Sequence, residues 1–265
     1  MLIKPKKSLG QNFLVDNNIL NIITDAVKIK KNDIVLEIGP GTGNLTEKLL
    51  KKKPKKVILI EKDKYLSSYL KKKFKDRINI INEDILKVDE ERLSEEKMIF
   101  FGNLPYNIST QILAKWIKKK NLNRICKKFV LTFQKEVADR IIAGINEKEY
   151  SRLSILSSWR LNIKKIKDIN PSSFFPAPKV KSTILLIEPK VKFYNFKNPK
   201  NLEHITNIFF NQKRKMIKKP LKILFKDIEY IKKKLQLNLN LRPQNLDPLT
   251  YFKLCEEYER LNNFP

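Results

Sequence analysis

The sequence predicts an α/β fold: a Rossmann-like, mostly parallel sheet flanked by helices, followed by a small all-helical C-terminal domain. Three observations carry this. Short apolar runs alternate with longer amphipathic stretches, the pattern of repeated βαβ units. Three of the six glycines fall within five residues directly after the first of those runs. Past Pro189 the strand signals fade and helical periodicity takes over.

In chain order, the expected strands are Ile34–Ile38, Lys56–Ile60, Ile78–Ile81, Met98–Phe101 and Phe129–Phe133. Helical patterns lie between and after them, at Tyr65–Phe74, Thr110–Lys118, Glu136–Ile145 and Arg152–Trp159. Two closing strands, Ile163–Ile169 and Lys179–Ile187, flank a loop holding Pro171, Pro176 and Pro178. The expected domains are therefore 1–189, a catalytic unit, and 190–265, a helical unit.

Composition narrows the chemistry. Cys126 and Cys255 are isolated, so neither a disulfide framework nor a zinc site is indicated. His204 is the single histidine, which removes histidine-based triads and multi-histidine metal centres. No apolar run approaches the ~18 residues of a membrane span, and the first seven residues have no apolar core of a secretory signal. The expected location is the cytoplasm. A net charge of +28 suits a polyanionic partner such as RNA. Only nine of the 56 basic residues are arginine, however, and the charge divides as +18 over residues 1–189 and +10 over 190–265. Such an even spread also fits a lysine-rich codon bias.

The glycines stand in Glu37-Ile-Gly39-Pro-Gly41-Thr-Gly43, after a strand and before a helix-like segment, where the backbone must turn sharply and admit a ligand closely. The spacing is not the GxGxxG of a dinucleotide loop. Glu61 ends the second apolar run, 22 residues after Gly39; Asp84 is expected to end the third, 23 residues later, and Asn103 the fourth, 19 residues beyond that. Each is an ordinary surface polar residue when taken alone. In a parallel sheet, though, successive strand ends lie side by side on the carboxyl edge, where ligands bind. An acidic residue at the position of Glu61 is suited to a ribose diol, and Asp84 to an adenine amine.

Asn103-Leu104-Pro105-Tyr106 resembles the (Asn/Asp)-Pro-Pro-(Tyr/Phe) pattern of amino-methyltransferases, and that resemblance implies a reaction at an amine. An exocyclic adenine amine is a poor nucleophile, because its lone pair is delocalised into the ring. Acceptors on both its protons, the Asn103 side chain and the Leu104 carbonyl, favour a pyramidal nitrogen, while Tyr106 offers a face on which a flipped base can stack.

The glycine loop resembles the ExGxGxG loop of class I methyltransferases, and Asn103–Tyr106 resembles the (Asn/Asp)-Pro-Pro-(Tyr/Phe) motif of their amino-methylating members. Over essentially its whole length the sequence is similar to the small-subunit (16S) ribosomal RNA adenine dimethyltransferase family. Leu9-Gly10-Gln11-Asn12-Phe13-Leu14 and Gly102-Asn-Leu-Pro-Tyr-Asn-Ile-Ser109 match its motifs, and Gln134–Arg140 also fits, although Glu136 and Arg140 at i,i+4 read equally as a helix pair. The resemblance implies S-adenosylmethionine as cofactor, with Asn12, Leu14, Gly39, Gly41, Glu61, Asp84 and Asn103 around it. It further implies catalytic roles for Asn103, Leu104, Pro105 and Tyr106.

In Pro171–Ser182 the resemblance implies that Phe174 sandwiches the target base opposite Tyr106; the alternative is a core phenylalanine in a rigid proline loop. Phe209-Phe-Asn-Gln-Lys213-Arg214-Lys215 resembles the family's basic, RNA-binding helix; the alternative is a solvated face. Gln244, in Arg242-Pro-Gln244, departs from the family's usual acidic residue. The expected activity is dimethylation of two adjacent adenosines in the 3′-terminal hairpin of small-subunit RNA, by a monomer on a pre-ribosomal particle, without metal or membrane. A large-subunit methyltransferase of the antibiotic-resistance type and a non-catalytic RNA-binding assembly or transcription factor are the competing readings.

Overall fold

The structure, a computed structural model, describes residues 4–6 and 9–262, so part of the N-terminal stretch examined for a signal lies outside the described residues. The chain forms two units, Met1–Ala138 with Asn162–Pro189, and Asp139–Leu161 with Lys190–Pro265.

The first unit begins with a two-residue strand β1 (Phe13–Leu14) and helix α1 (Asn17–Asp25). Alternation then follows: β2 (Ile34–Ile38), α2 (Asn44–Lys51), β3 (Lys56–Ile60), α3 (Lys64–Phe74), β4 (Asn79–Ile81), β5 (Met98–Asn103), α4 (Ser109–Lys118), α5 (Leu122–Ile125), β6 (Cys126–Gln134) and α6 (Lys135–Ile142). After α7 (Arg152–Arg160) come β7 (Leu161–Ile169), the short β8 (Phe174–Phe175) and β9 (Ser182–Pro189). Seven strands form one sheet in the order β4-β3-β2-β5-β6-β9-β7. From β4 to β6 every pairing is parallel, and β9 runs antiparallel to β6. β1 and β8 make a separate two-stranded ladder.

Burial explains the strand sequences. All five residues of β2 are buried, which is why Ile-Val-Leu-Glu-Ile shows no polar alternation. Helix starts are equally explicit: Asp16 accepts from the Asn18 and Ile19 amides at the head of α1, and Asp63 accepts from the Tyr65 amide at the head of α3. The winding proceeds outward from β2 through β3 to β4, then returns to its other side with β5. A crevice opens at the carboxyl ends where that order reverses.

The segment that leaves β5 is held from below. Phe100, Trp116 and Phe129 pack ring against ring, with centroids 4.9–5.5 Å apart. Beside them the fully buried Glu90 accepts from Trp116 Nε1 and Lys115 Nζ, both at 2.8 Å, and Lys119 Nζ lies 3.0 Å from its second oxygen. This fixes α4 and hence the turn between β5 and α4.

The second unit is helical: α7 packs with α8 (Pro199–Phe210) and α11 (Pro248–Leu261), α9 (Lys218–Leu224) packs on α8, and α10 (Ile228–Leu235) packs on α9 and α11. One of its segments begins after Pro189, at Lys190. Residues 139–161 differ from expectation, because α7 belongs here rather than with the sheet. The reason is burial on both sides of that helix: Trp159 donates to the Tyr194 carbonyl at 2.7 Å, and Arg152 donates to Asn207 at 2.9 Å.

Replacing Glu90 by alanine leaves two ammonium groups and an indole N–H facing a buried void. We expect a loss of about 3–5 kcal/mol in unfolding free energy, read by urea denaturation; a loss below about 1 kcal/mol would show that this cluster does not anchor α4.

Candidate active site

The crevice gathers ten residues that the sequence singles out: Asn12, Leu14, Gly39, Gly41, Glu61, Asp84, Asn103, Leu104, Pro105 and Tyr106 all line it. They come from four strand ends and the N-terminal segment, so their convergence is a property of the sheet order and not of local sequence. Apolar walls are added by Ile38, Ile60, Leu66 and Ile85.

The glycine loop turns with positive φ at Gly39 (63°) and Gly41 (57°), a region that side chains rarely adopt. The two positions differ in what surrounds them. A Cβ on Gly39 would meet only Pro105, at 4.0 Å, and would project into the open crevice. A Cβ on Gly41 would lie 2.8 Å from the Phe13 ring, so this glycine lets β1 close against the loop.

Glu61, 6% exposed, accepts the Gly41 amide on one oxygen (3.2 Å) and the Asp63 amide on the other (2.8 Å). Each carboxylate oxygen has about two acceptor positions, so these amides leave the carboxylate able to accept from a hydroxyl in the crevice it lines. Burial pushes the Glu61 carboxyl above its ordinary value, against the pull of those amides. Glu37, fully buried on β2, accepts from the Thr46 hydroxyl at 2.6 Å, and burial, reinforced by the nearby Glu61 charge, pushes it up to about 8. Asp84 lies three residues beyond β4; the Lys62 ammonium at 2.8 Å holds its carboxyl below the usual range.

The N-terminal segment is laced over one side. Lys6 Nζ and Gln11 Nε2 donate to Asp63 at 3.0 and 3.2 Å, Asn44 Nδ2 donates to the Leu14 carbonyl at 2.9 Å, and Asn103 Nδ2 donates to the Asn12 carbonyl at 2.8 Å. Despite its desolvation, Asp63 is thereby held below the usual carboxylate range.

Two buried hydroxyls that the sequence gives no reason to select complete the Asn103–Tyr106 turn. Thr132, directly opposite Asn103 in the β5–β6 register, donates to Asn103 Oδ1 at 2.5 Å. Both ends of the amide are thus specified, and Oδ1 keeps one lone pair for a further donor. Ser182 Oγ lies 2.6 Å from Tyr106 Oη and pins the phenol; burial raises the Tyr106 pKa, so the ring stays neutral at ordinary pH. Neither hydroxyl has a spacing signal: the first contact arises from β5–β6 register, and the second joins the turn after β5 to the start of β9.

Two expectations differ from the structure. Phe174 does not line the crevice: it is 3% exposed, pairs with Leu14, and packs with Ile19, Ile23 and Val130 in the core. Strand alternation decides this, because Phe174 and Phe175 point to opposite faces. Lys213, Arg214 and Lys215 are not on a helix, since α8 ends at Phe210 and a series of turns follows. Lys213 Nζ donates to the Lys148 and Tyr150 carbonyls at 3.0 and 3.2 Å, whereas Arg214 and Lys215 are exposed. Gln244 sits in a short 3-10 turn, where its carbonyl accepts the Asn146 amide at 3.1 Å. Among the described residues no group of three or more His, Cys, Asp or Glu is arranged to hold a metal ion, and no helix is long and apolar enough to cross a membrane.

Comparison with known proteins gives a consistent result. A family profile described as ribosomal RNA adenine dimethylase matches residues 3–260. The chain is 56% identical to the ribosomal RNA small subunit methyltransferase A of Pelagibacter ubique, over 98% of this chain and 99% of that one. It is 40% identical to the protein of the same name from the Wolbachia of Drosophila simulans, over 98% and 96%. Among solved structures, a dimethyladenosine transferase from Plasmodium falciparum superposes with a TM-score of 0.76 at 30% identity, covering 94% of this chain and 98% of the other. The 23S rRNA methyltransferase ErmE shares the fold, with a TM-score of 0.71 at 22% identity over 94% and 100%.

The buried Glu37 predicts a pH signature. Its folded value near 8, against an ordinary 4.5, means that the folded chain keeps a proton which the unfolded chain releases between those values. Stability contributed here therefore falls as pH rises from about 4.5 to 8, by about 1.4 kcal/mol per pH unit, and is level above. Glu37→Gln removes the titration while keeping an acceptor for Thr46. Melting curves should show the variant gaining on the parent between pH 5 and 8, and parallel pH profiles would contradict a protonated Glu37.

Proposed function

Since this chain belongs to the ribosomal RNA adenine dimethylase family, whose enzymes use S-adenosylmethionine, we propose that it dimethylates two adjacent adenosines in the 3′-terminal hairpin of small-subunit rRNA. The observation that carries this is the meeting of a carboxylate acceptor on Glu61 with an oriented amide acceptor on Asn103 in one crevice. The 56% identity to a small-subunit enzyme supports the choice of RNA, whereas the likeness to the 23S enzyme extends to the fold alone.

The residues present fit the cofactor. Gly39 offers open space where a Cβ would intrude, Glu61 lines the crevice with a carboxylate that can accept from a diol, and Asp84 provides a carboxylate on the link after the next strand. Asn12, Leu14 and Gly41 supply the adjoining wall. When bound, S-adenosylmethionine supplies an electrophilic methyl group on a sulfonium.

The chain's own contribution is to prepare the nucleophile. Asn103 Oδ1, fixed by Thr132, and the Leu104 carbonyl accept the two amine protons and draw the nitrogen toward a pyramidal geometry. Pro105 stiffens the turn between them. Tyr106, its ring held by Ser182, stacks the base, a contact worth roughly 1–3 kcal/mol. Loop adenosines are the sensible target, because their bases are already partly unstacked. Lys215 and Arg214 have side chains free to meet phosphates, and Lys213 contributes mainly by tying its loop. The enzyme acts as a monomer in the cytoplasm, on RNA within a pre-ribosomal particle.

Glu61→Ala should raise the dissociation constant for S-adenosylmethionine at least several-fold with the fold retained, as titration calorimetry and circular dichroism would show; unchanged affinity would move the diol site elsewhere. For the substrate, the chain is to be expressed in cells lacking their own enzyme and the rRNA nucleosides analysed by mass spectrometry. The expected product is dimethyladenosine in small-subunit RNA, absent with Asn103→Ala. Methylation confined to large-subunit RNA would overturn the assignment.

A further inference from the structure

The link from β8 to β9 has no part in the reading above, yet it leaves unusual side chains in solvent. Residues 175–177 and 179–181 are exposed, with Phe175 at 54% and Val180 at 45%. The link thus sets an aromatic ring among exposed lysines, Lys179 and Lys181.

Both ends of this link are tied to the crevice. Phe175 stands directly opposite Phe13 in the β1–β8 ladder, and opposed residues share a face. Phe13 lines the crevice and rests against Gly41. At the other end Lys181 adjoins Ser182, which holds Tyr106 Oη, and the Lys181 carbonyl accepts the Lys135 amide at 2.9 Å. The backbone is therefore anchored beside the crevice mouth, while Phe175, Lys179 and Lys181 remain in solvent. An aromatic face with neighbouring cations is the chemistry of a single-stranded nucleic acid platform: the ring takes a base of any identity, and the lysines take phosphates.

We propose that Phe175, Lys179 and Lys181 form a subsite for the nucleotide next to the one that enters the crevice. The flanking base stacks on Phe175, and its phosphates lie against the two lysines. Charge complementarity selects RNA as the occupant, in keeping with the chain's net charge of +28. The subsite favours substrates whose target has an unpaired neighbour, because a base held in a helix cannot reach the ring. The inference rests on the reading of the chain as an RNA adenosine methyltransferase.

The test uses the full chain and a synthetic RNA stem-loop with two adjacent adenosines in its loop, followed by fluorescence anisotropy in the presence of S-adenosylhomocysteine. Phe175→Ala should weaken RNA binding about 5- to 100-fold, Phe175→Trp should restore it, and cofactor affinity and melting temperature should not move. Lys179→Gln and Lys181→Gln should each flatten the log–log salt dependence by about 0.7. An abasic site beside the target should weaken binding to the parent protein and not to Phe175→Ala. A parent that methylates the stem-loop while Phe175→Ala binds it normally overturns the subsite alone. A parent that does not bind the stem-loop overturns the subsite, and small-subunit particles left unmethylated by the parent overturn the substrate reading as well.

Discussion

Glu61 grips the Gly41 amide with one oxygen and the Asp63 amide with the other, and through these two bonds three parts of the chain meet. The glycine loop is held on one side. On the other, Asp63 caps α3 and receives Lys6 and Gln11 from the N-terminal segment. A buried carboxylate without donors would cost several kcal/mol, so the site depends on Glu61 being satisfied from both directions. Glu37, on the neighbouring strand, is relieved by a different device, a retained proton together with the Thr46 hydroxyl. Two acidic side chains thus share the carboxyl edge of one sheet with different partners, backbone amides for Glu61 and a hydroxyl for Glu37.

Much of this was legible in the sequence, and for a physical reason. β2, β3 and β5 are buried parallel strands, so they read as mainly apolar runs without polar alternation, and the candidate site residue of each stands at or just after the end of its run. Parallel order then does the assembly, which is why Gly39, Glu61, Asp84 and Asn103 meet despite lying far apart along the chain. Asp84 illustrates the limit of that logic: β4 is only three residues long, and the carboxylate sits on the link after it.

What escaped the sequence depends on register. A two-residue ladder such as β1–β8 has too few residues to show a period, yet it decides which of two adjacent phenylalanines faces the core. Thr132 and Ser182 look like ordinary strand residues until pairing sets one beside Asn103 and the other within reach of Tyr106. Lys213 reads as one cation among many, while its ammonium is taken by two backbone carbonyls from a segment more than sixty residues earlier. Helix α7 passes to the second unit for a related reason, since its partners Tyr194 and Asn207 are supplied by residues that follow much later.

The amide of Asn103 has one end on Thr132 and the other on the Asn12 carbonyl, within the same N-terminal segment that walls the crevice. A ligand that settles against residues 9–14 therefore also fixes the acceptor that faces the incoming base. Were the first ligand to tighten the hold on that amide, linkage would be reciprocal: the factor by which the first ligand tightens the second equals the factor by which the second tightens the first. The two ends of one side chain, on Asn12 and on Thr132, are where such a coupling would be carried.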